Sequence, residues 1–141
     1  DFRMWGNVVM GQGSTLPPKP DNVVLEGMYK SFGELPMEQA DLWLYTSAWD
    51  GIPQTLLEVG MTGVPLVGSA VGGTPEVLRE GLGFAVADGQ GPEAYVTAIR
   101  AVLYNPKGAR AKAVKLRKML EAEHTTAAYR TTINAVIDGT T

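Results

Sequence analysis

Two acidic residues lie eight positions apart in the stretch AWDGIPQTLLEVG, Asp50 before a Gly-Ile-Pro turn and Glu58 after it. Pro53 suits the first position of a helix, so this stretch predicts a helix that begins near Gln54. The N–H groups at a helix start have no acceptor within the helix, and the Thr55 hydroxyl lies among them. Such a helix start attracts phosphate. The stretch therefore predicts a phosphate site flanked in sequence by two carboxylates.

The two carboxylates would have different tasks at such a site. Glu58 follows the helix start by about one turn, and an ionised carboxylate can accept both hydrogens of a ribose diol. Asp50 precedes the helix and would face the group beyond the diphosphate. The same residue types also permit simpler roles, with Glu58 a solvated helix residue and Asp50 a cap of the helix or of the preceding turn.

A glycine pair follows in GSAVGGTPE, where Gly72 and Gly73 stand between an apolar run and a short helix-like stretch. Glycines at this place either let the backbone approach a ligand closely or permit a positive φ. The better known phosphate motifs are absent, since no Gly-Lys-Ser or Gly-Lys-Thr occurs and no G-x-G-x-x-G follows a predicted strand.

Short apolar runs alternate with helix-like stretches along most of the chain. This alternation predicts an α/β protein with a doubly wound parallel sheet covered by helices on both faces. The predicted strands span residues 2–5, 23–25, 42–45, 66–67 and 84–86, and the helices between them span 54–61, 74–79 and 92–103. The Gly- and Pro-rich segment 11–22 is predicted to be a loop.

The chain after Asn105-Pro106 is predicted to be helical, with a last helix over 126–137. One apolar stripe indicates the buried face of the first of these helices: Ala109, Ala113, Leu116 and Leu120. Six basic residues surround it: Lys107, Arg110, Lys112, Lys115, Arg117 and Lys118. They form either a solvated face or a contact with an anionic membrane. The tryptophans, Trp5, Trp43 and Trp49, are predicted to lie in or at the edge of the core, with a sugar pocket as the alternative for Trp49.

Composition limits the classes of function. The 141 residues, 45% hydrophobic and 19% charged, predict one soluble globular domain. The absence of cysteine excludes disulfides and thiolate sites and permits a cytoplasmic location, and a single histidine, His124, excludes a histidine-rich metal site. A net charge of -3 argues against a nucleic-acid partner.

The stretch ADLWLYTSAWDGIPQTLLEVGMTGVPLVGSAVGGTPEVL resembles the C-terminal donor-binding domain of retaining glycosyltransferases of the GT-B fold, of the family 4 or group 1 type. Their signature is Glu-x7-Glu, which stands here as Asp50-x7-Glu58. The resemblance covers residues 2–106, with NVVLEGMYKSFGELPMEQAD and GLGFAVADGQGPEAYVTAIRAVLYNP matching the flanking parts of that domain.

The resemblance implies a nucleotide-sugar donor as the substrate and no metal ion or other cofactor. By position, Glu58 would bind the ribose, and Asp50 would lie near the transferred sugar as the catalytic residue. The rest of the donor would be contacted by backbone N–H groups at the helix start, by the glycine pair and by a tyrosine that packs against the base. These residues are Gly51, Ile52, Gln54 and Thr55, then Gly72 and Gly73, and Tyr29.

The resemblance also implies that the chain is part of a larger enzyme. Residues 1–106 would be an incomplete Rossmann-like domain that lacks its first strand, and residues 107–141 would be helices that pack on it. An N-terminal acceptor-binding domain and the basic residues that clamp the diphosphate would lie elsewhere in the protein, so the isolated chain is expected to be inactive. Two alternatives stay open: a non-catalytic module of this fold that binds a nucleotide or a protein, and a sugar-nucleotide epimerase.

Overall fold

The structure is a computed structural model, and it describes residues 1–6 and 18–139 of the 141-residue chain. These residues form two compact units, Asp1–Pro36 and Met37–Thr141. Much of the predicted loop over 11–22 lies outside the described residues, and its part from 18 to 22 contains no helix or strand. The predicted division into a Rossmann-like part, residues 1–106, and C-terminal helices, residues 107–141, stays a prediction.

The first unit contains two parallel strands, β1 (Phe2–Trp5) and β2 (Val23–Gly27). Its one ion pair among the described residues joins the strands, with Nε of Arg3 donating to Oε1 of Glu26 at 2.6 Å. A single 3-10 turn, Phe32–Glu34, follows. Both predicted strands are therefore confirmed.

The second unit is built on three parallel strands, β3 (Trp43–Tyr45), β4 (Leu66–Ala70) and β5 (Phe84–Ala87), with β4 in the middle. Helix α1 (Gln54–Thr62) connects β3 to β4, and the short helix α2 (Thr74–Val77) connects β4 to β5. Because the strands are parallel, their carboxyl ends share one edge of the sheet. The loops that follow β3 and β4 therefore start from the same edge.

Three helices complete the second unit: α3 (Pro92–Tyr104), α4 (Pro106–Glu123) and α5 (Thr126–Ile137). Helix α3 packs against β4 and β5, and α4 packs against α1 and α3. The predicted apolar stripe of α4 is buried at all four positions, Ala109, Ala113, Leu116 and Leu120. In the part of the chain that the structure describes, no helix is long and apolar enough to cross a membrane.

Helices α1 and α4 approach each other closely at Gly60. A Cβ at this position would lie 3.3 Å from Cδ2 of Leu116 and 2.5 Å from Cδ1 of Leu120. Arg110 of α4 donates from Nη1 to the carbonyl of Gly63, at the end of α1, over 3.1 Å. This packing holds α1 in place, and α1 is the helix that the sequence predicts to carry the site.

Two details differ from the sequence prediction, one in the core and one at the start of α1. Trp49 is 86% exposed because it lies on the loop after β3, so the prediction that it belongs to the core is wrong. Pro53 precedes α1 as its N-cap, and Gln54 is the first helical residue. Trp5 and Trp43 are half-buried, as residues at a core edge are.

The predicted α/β class with parallel strands and a helical C-terminus is confirmed. The described strands form two sheets, β1-β2 and β3-β4-β5, where the sequence predicts one.

Candidate functional site

The loop after β3 and the loop after β4 meet at the glycine pair. The N–H of Gly73 donates to the carbonyl of Gly51 at 2.8 Å. Gly72 has a φ of 52°, and a Cβ there would overlap the carbonyl oxygen of Asp50. A Cβ at Gly73 would overlap Cγ1 of Ile52. The two glycines are therefore needed for the close approach of one loop to the other.

Two serines fix the backbone of the loop that carries Asp50. The buried Ser69 of β4 donates from Oγ to the carbonyl of Ser47 at 2.6 Å. Oγ of Ser47 donates in turn to the carbonyl of Trp49 at 2.8 Å. The loop is therefore tied to the central strand at a point just before the acidic residue.

The Asp50 side chain is held by a residue that the sequence analysis did not single out. The hydroxyl of Tyr45, the last residue of β3, donates to Oδ2 of Asp50 at 2.7 Å. Asp50 is half-buried, and no side chain caps α1, so its predicted role as the cap of that helix is wrong. No sequence signal indicates this contact, because residues five apart meet only when the loop between them turns back.

The electrostatics of this pair keep the phenol protonated. Burial raises the pKa of Tyr45 above 10.0, and the hydrogen bond and negative charge of Asp50 raise it further. A hydrogen bond with the Ser47 side chain lowers the pKa, but the net direction is upward. At neutral pH Tyr45 is therefore a hydrogen-bond donor to the carboxylate.

The start of α1 leaves backbone donors free. The N–H of Leu56 donates to the carbonyl of Pro53 at 3.0 Å, while the N–H groups of Gln54 and Thr55 have no acceptor among residues 1–6 and 18–139. The Thr55 hydroxyl is half-buried and likewise has no partner in that part of the chain. A helix start with unpaired N–H groups carries partial positive charge. The sequence predicts this helix start near Gln54, and the structure has it at Gln54.

Glu58 follows the helix start by one turn and is half-buried. Its Oε1 accepts a hydrogen bond from Nε2 of Gln54 at 3.1 Å. Within the described residues Oε2 has no partner. The carboxylate therefore has free acceptor capacity beside the unpaired N–H groups of its own helix.

The remaining candidate residues give a mixed result. Tyr29 is half-buried in the first unit, and its role in packing against a base stays a prediction. Thr74, directly after the glycine pair, is fully buried, and its hydroxyl has no hydrogen-bond partner among the described residues. In those residues no group of three His, Cys, Asp or Glu side chains is arranged to hold a metal ion.

Comparison with solved structures shows the fold. Two crystal structures of HepE from Anabaena, one in complex with UDP and one with UDP-glucose, each match with a TM-score of 0.69 and 19% sequence identity. The matches cover 83% and 84% of this chain but only 32% and 33% of the HepE chain, so this chain spans about a third of their length. The GT-B fold expected from the sequence is thus confirmed. A search of curated proteins finds no match.

The family assignment comes from the sequence itself. The family model described as "Glycosyl transferases group 1" matches residues 7–105, which is more than half of the 141 residues. The matched range includes the loop with Asp50, helix α1 with Glu58 and the glycine pair. The chain belongs to the group 1 glycosyltransferases.

Proposed function

We propose that the chain is the donor-binding part of a retaining glycosyltransferase that acts in carbohydrate biosynthesis. The enzyme would transfer a sugar from a nucleoside diphosphate to an acceptor hydroxyl and keep the configuration at the anomeric carbon. Family membership supports this reaction class. The observation that carries the assignment to this site is the start of α1, where unpaired N–H groups lie between Asp50 and Glu58 in sequence.

The diphosphate would bind at the N–H groups of Gln54 and Thr55. The partial positive charge of the helix start stabilises an anion without a metal ion, and it also stabilises the diphosphate as a leaving group. The proposal therefore includes no metal and no other cofactor. Gly51 and Ile52, whose backbone is supported by the glycine pair, would contribute further contacts to the sugar and phosphates.

The two carboxylates would bind the two ends of the donor. Glu58 has free acceptor capacity one turn along α1, and a carboxylate with two oxygens suits the two hydroxyls of a ribose. Asp50 precedes the helix start and would contact the transferred sugar. Because HepE was crystallised with UDP and with UDP-glucose, a uridine donor is the first to test.

Since the chain spans about a third of the HepE structures, we propose that an acceptor-binding domain completes the enzyme. The exposed Lys107, Lys115 and Lys118 on α4, which have no acidic partner in the described residues, would permit peripheral contact with anionic lipids. A cytoplasmic location is part of the proposal, and the absence of cysteine permits it.

An NMR titration of the chain tests the donor site. The ligands are UDP, GDP and ADP with their glucose or mannose conjugates, each titrated once with EDTA and once with Mg²⁺, so that a metal requirement would appear as binding lost in EDTA. We expect a Kd of about 1 mM or weaker for this chain. Shifts should cluster at residues 51–58 and 72–76, because these residues surround the start of α1.

Glu58→Ala supplies the decisive comparison, and Glu93→Ala, which removes an exposed glutamate from the first turn of α3, is the matched control. We expect Glu58→Ala to abolish the shifts with little change in Tm, and Glu93→Ala to leave both unchanged. Binding that persists in Glu58→Ala would contradict the ribose role, and a large fall in Tm would mark Glu58 as structural. No response to any ligand by the wild-type chain would favour the non-catalytic module.

A further inference from the structure

The contact between Tyr45 and Asp50 has a geometry that suits a task at the site. The hydroxyl-to-carboxylate distance of 2.7 Å is that of a well-formed O–H···O hydrogen bond, and its acceptor is a carboxylate. Such bonds are stronger than those between neutral groups, so the phenol restricts the rotation of the carboxylate. Oδ1 of Asp50 has no partner among the described residues.

The sheet holds Tyr45 firmly. It is the last residue of β3 and pairs with Gly68 of β4. A Cβ at Gly68 would lie 3.6 Å from both Cβ and Cδ1 of Tyr45, so the ring lies against the glycine. The hydroxyl is thereby presented from the carboxyl end of β3, beside the central strand β4.

The backbone of the loop is held by other groups. Ser69 and Ser47 bind loop carbonyls, and the glycine pair packs against the backbone of Asp50. Tyr45 is the residue that binds the Asp50 side chain within the described residues. Removal of its hydroxyl should therefore free the carboxylate and leave the loop in place.

We propose that Tyr45 is a positioning residue for the sugar subsite: it binds Oδ2 of Asp50 so that Oδ1 stays directed for a hydroxyl of the donor sugar. This inference rests on the proposed function. It predicts that Tyr45 contributes to binding of the sugar part of the donor and does not contribute to binding of the nucleoside diphosphate part.

The test compares paired ligands on Tyr45→Phe and on the control Tyr104→Phe, which alters a tyrosine that is 84% exposed at the end of α3. The pairs are UDP with UDP-glucose, GDP with GDP-mannose and ADP with ADP-glucose, measured by NMR titration. We expect Tyr45→Phe to weaken the sugar conjugate roughly tenfold, the scale of one hydrogen bond to a charged group, and to leave the diphosphate unchanged. Tyr104→Phe should change neither.

Two further measurements separate positioning from a structural role. In an Asp50→Asn background, Tyr45→Phe should have much less effect on the sugar conjugate, because the carboxylate it positions is gone. A titration of the tyrosine ring carbons should show the pKa of Tyr45 fall in Asp50→Asn, since the negative charge that raises it is removed.

The outcomes are distinct. If Tyr45→Phe weakens the diphosphate and the sugar conjugate equally, or weakens neither, the positioning role of Tyr45 is overturned. The proposed donor site is not contradicted by either result. The same loss in the Asp50→Asn background as in the wild type would also overturn it. If the wild-type chain binds no member of any pair, the proposed function fails, and the inference fails with it.

Discussion

Asp50 and Glu58 are held by different kinds of interaction, although both belong to one short stretch of sequence. Glu58 accepts a hydrogen bond from Gln54, one turn earlier in its own helix. Asp50 accepts its hydrogen bond from Tyr45, across a loop. The position of Glu58 therefore depends on α1 alone, while that of Asp50 depends on how the sheet and loop are arranged.

Gly72→Ala should be strongly destabilising. A non-glycine residue at a φ of 52° costs about 1–2 kcal/mol, and the new Cβ would overlap the carbonyl oxygen of Asp50, which adds roughly 1–3 kcal/mol of forced backbone movement. The free energy of unfolding in urea measures the loss. NMR signals of Asp50, Gly51 and Ile52 should shift, because the loop must move away.

Gly89→Ala is the matched control for Gly72→Ala. Gly89 has a φ of 75° but no atom within 4 Å of the position its Cβ would take, so only the backbone cost applies. Equal losses of stability in the two variants would show that the contact between the glycine pair and the Asp50 loop contributes nothing.

At the scale of elements, an exposed ion pair connects the end of α2 to the end of α4. Arg79 donates from Nη1 and Nη2 to the two carboxylate oxygens of Glu123, at 3.1 and 2.6 Å. Its Nε also donates to the carbonyl of Glu76, over 2.8 Å. The arginine therefore joins the segment after the glycine pair to the helix that supports α1.

The stability of the protein should depend on pH through the ionisation of Glu123 in this pair. The hydrogen bonds from Arg79 lower the pKa of Glu123 below 4.5; burial acts in the opposite direction, and the charges of Arg79 and then His124 add smaller downward effects. The folded state thus favours the ionised carboxylate. The contribution of the ion pair to stability is present above the pKa of Glu123 in the unfolded chain. It is lost as the pH falls through the lowered pKa of Glu123 in the folded state.

We therefore expect the Tm of Glu123→Gln to lie below that of the wild type at neutral pH, with a gap that closes below pH 4.5. The gap should be small and should shrink in high salt, because the pair is exposed. Glu80→Gln, a change at an exposed glutamate with no partner among the described residues, should show no such pH dependence. A gap that is constant with pH would contradict the assignment.

At the scale of the whole molecule, the two units differ in how much apolar surface they bury. Among the described residues, every buried core hydrophobic except Leu35 belongs to Met37–Thr141. In β1 and β2, Phe2, Met4 and Leu25 are between 42% and 53% exposed. Two strands without a buried face are at best marginally stable alone.

A chain of residues 37–141 should therefore fold without residues 1–36, with cooperative thermal unfolding and the helical circular dichroism of α1 and α3 to α5. Residues 1–36 alone should show no cooperative transition. Circular dichroism of the two fragments measures both expectations. Loss of cooperativity in the 37–141 fragment would show that its core depends on the first unit.

Local patterns determined much of this protein from sequence alone. The buried stripe of α4 follows from helical periodicity, and Pro53 marks the start of α1 near Gln54, although it is the N-cap and not the first helical residue. The place of Glu58 one turn into α1 follows from the same start. These features could be predicted because each depends on neighbours within one or two turns of helix.

Only the tertiary structure decided how the site is assembled. The bond from Tyr45 to Asp50, the packing of Gly72 on the Asp50 loop and the exposure of Trp49 all depend on the path of the loop after β3. That path is set where two parallel strands end side by side, and residues far apart in sequence meet there. Residue type and spacing along the chain carry no record of such a meeting.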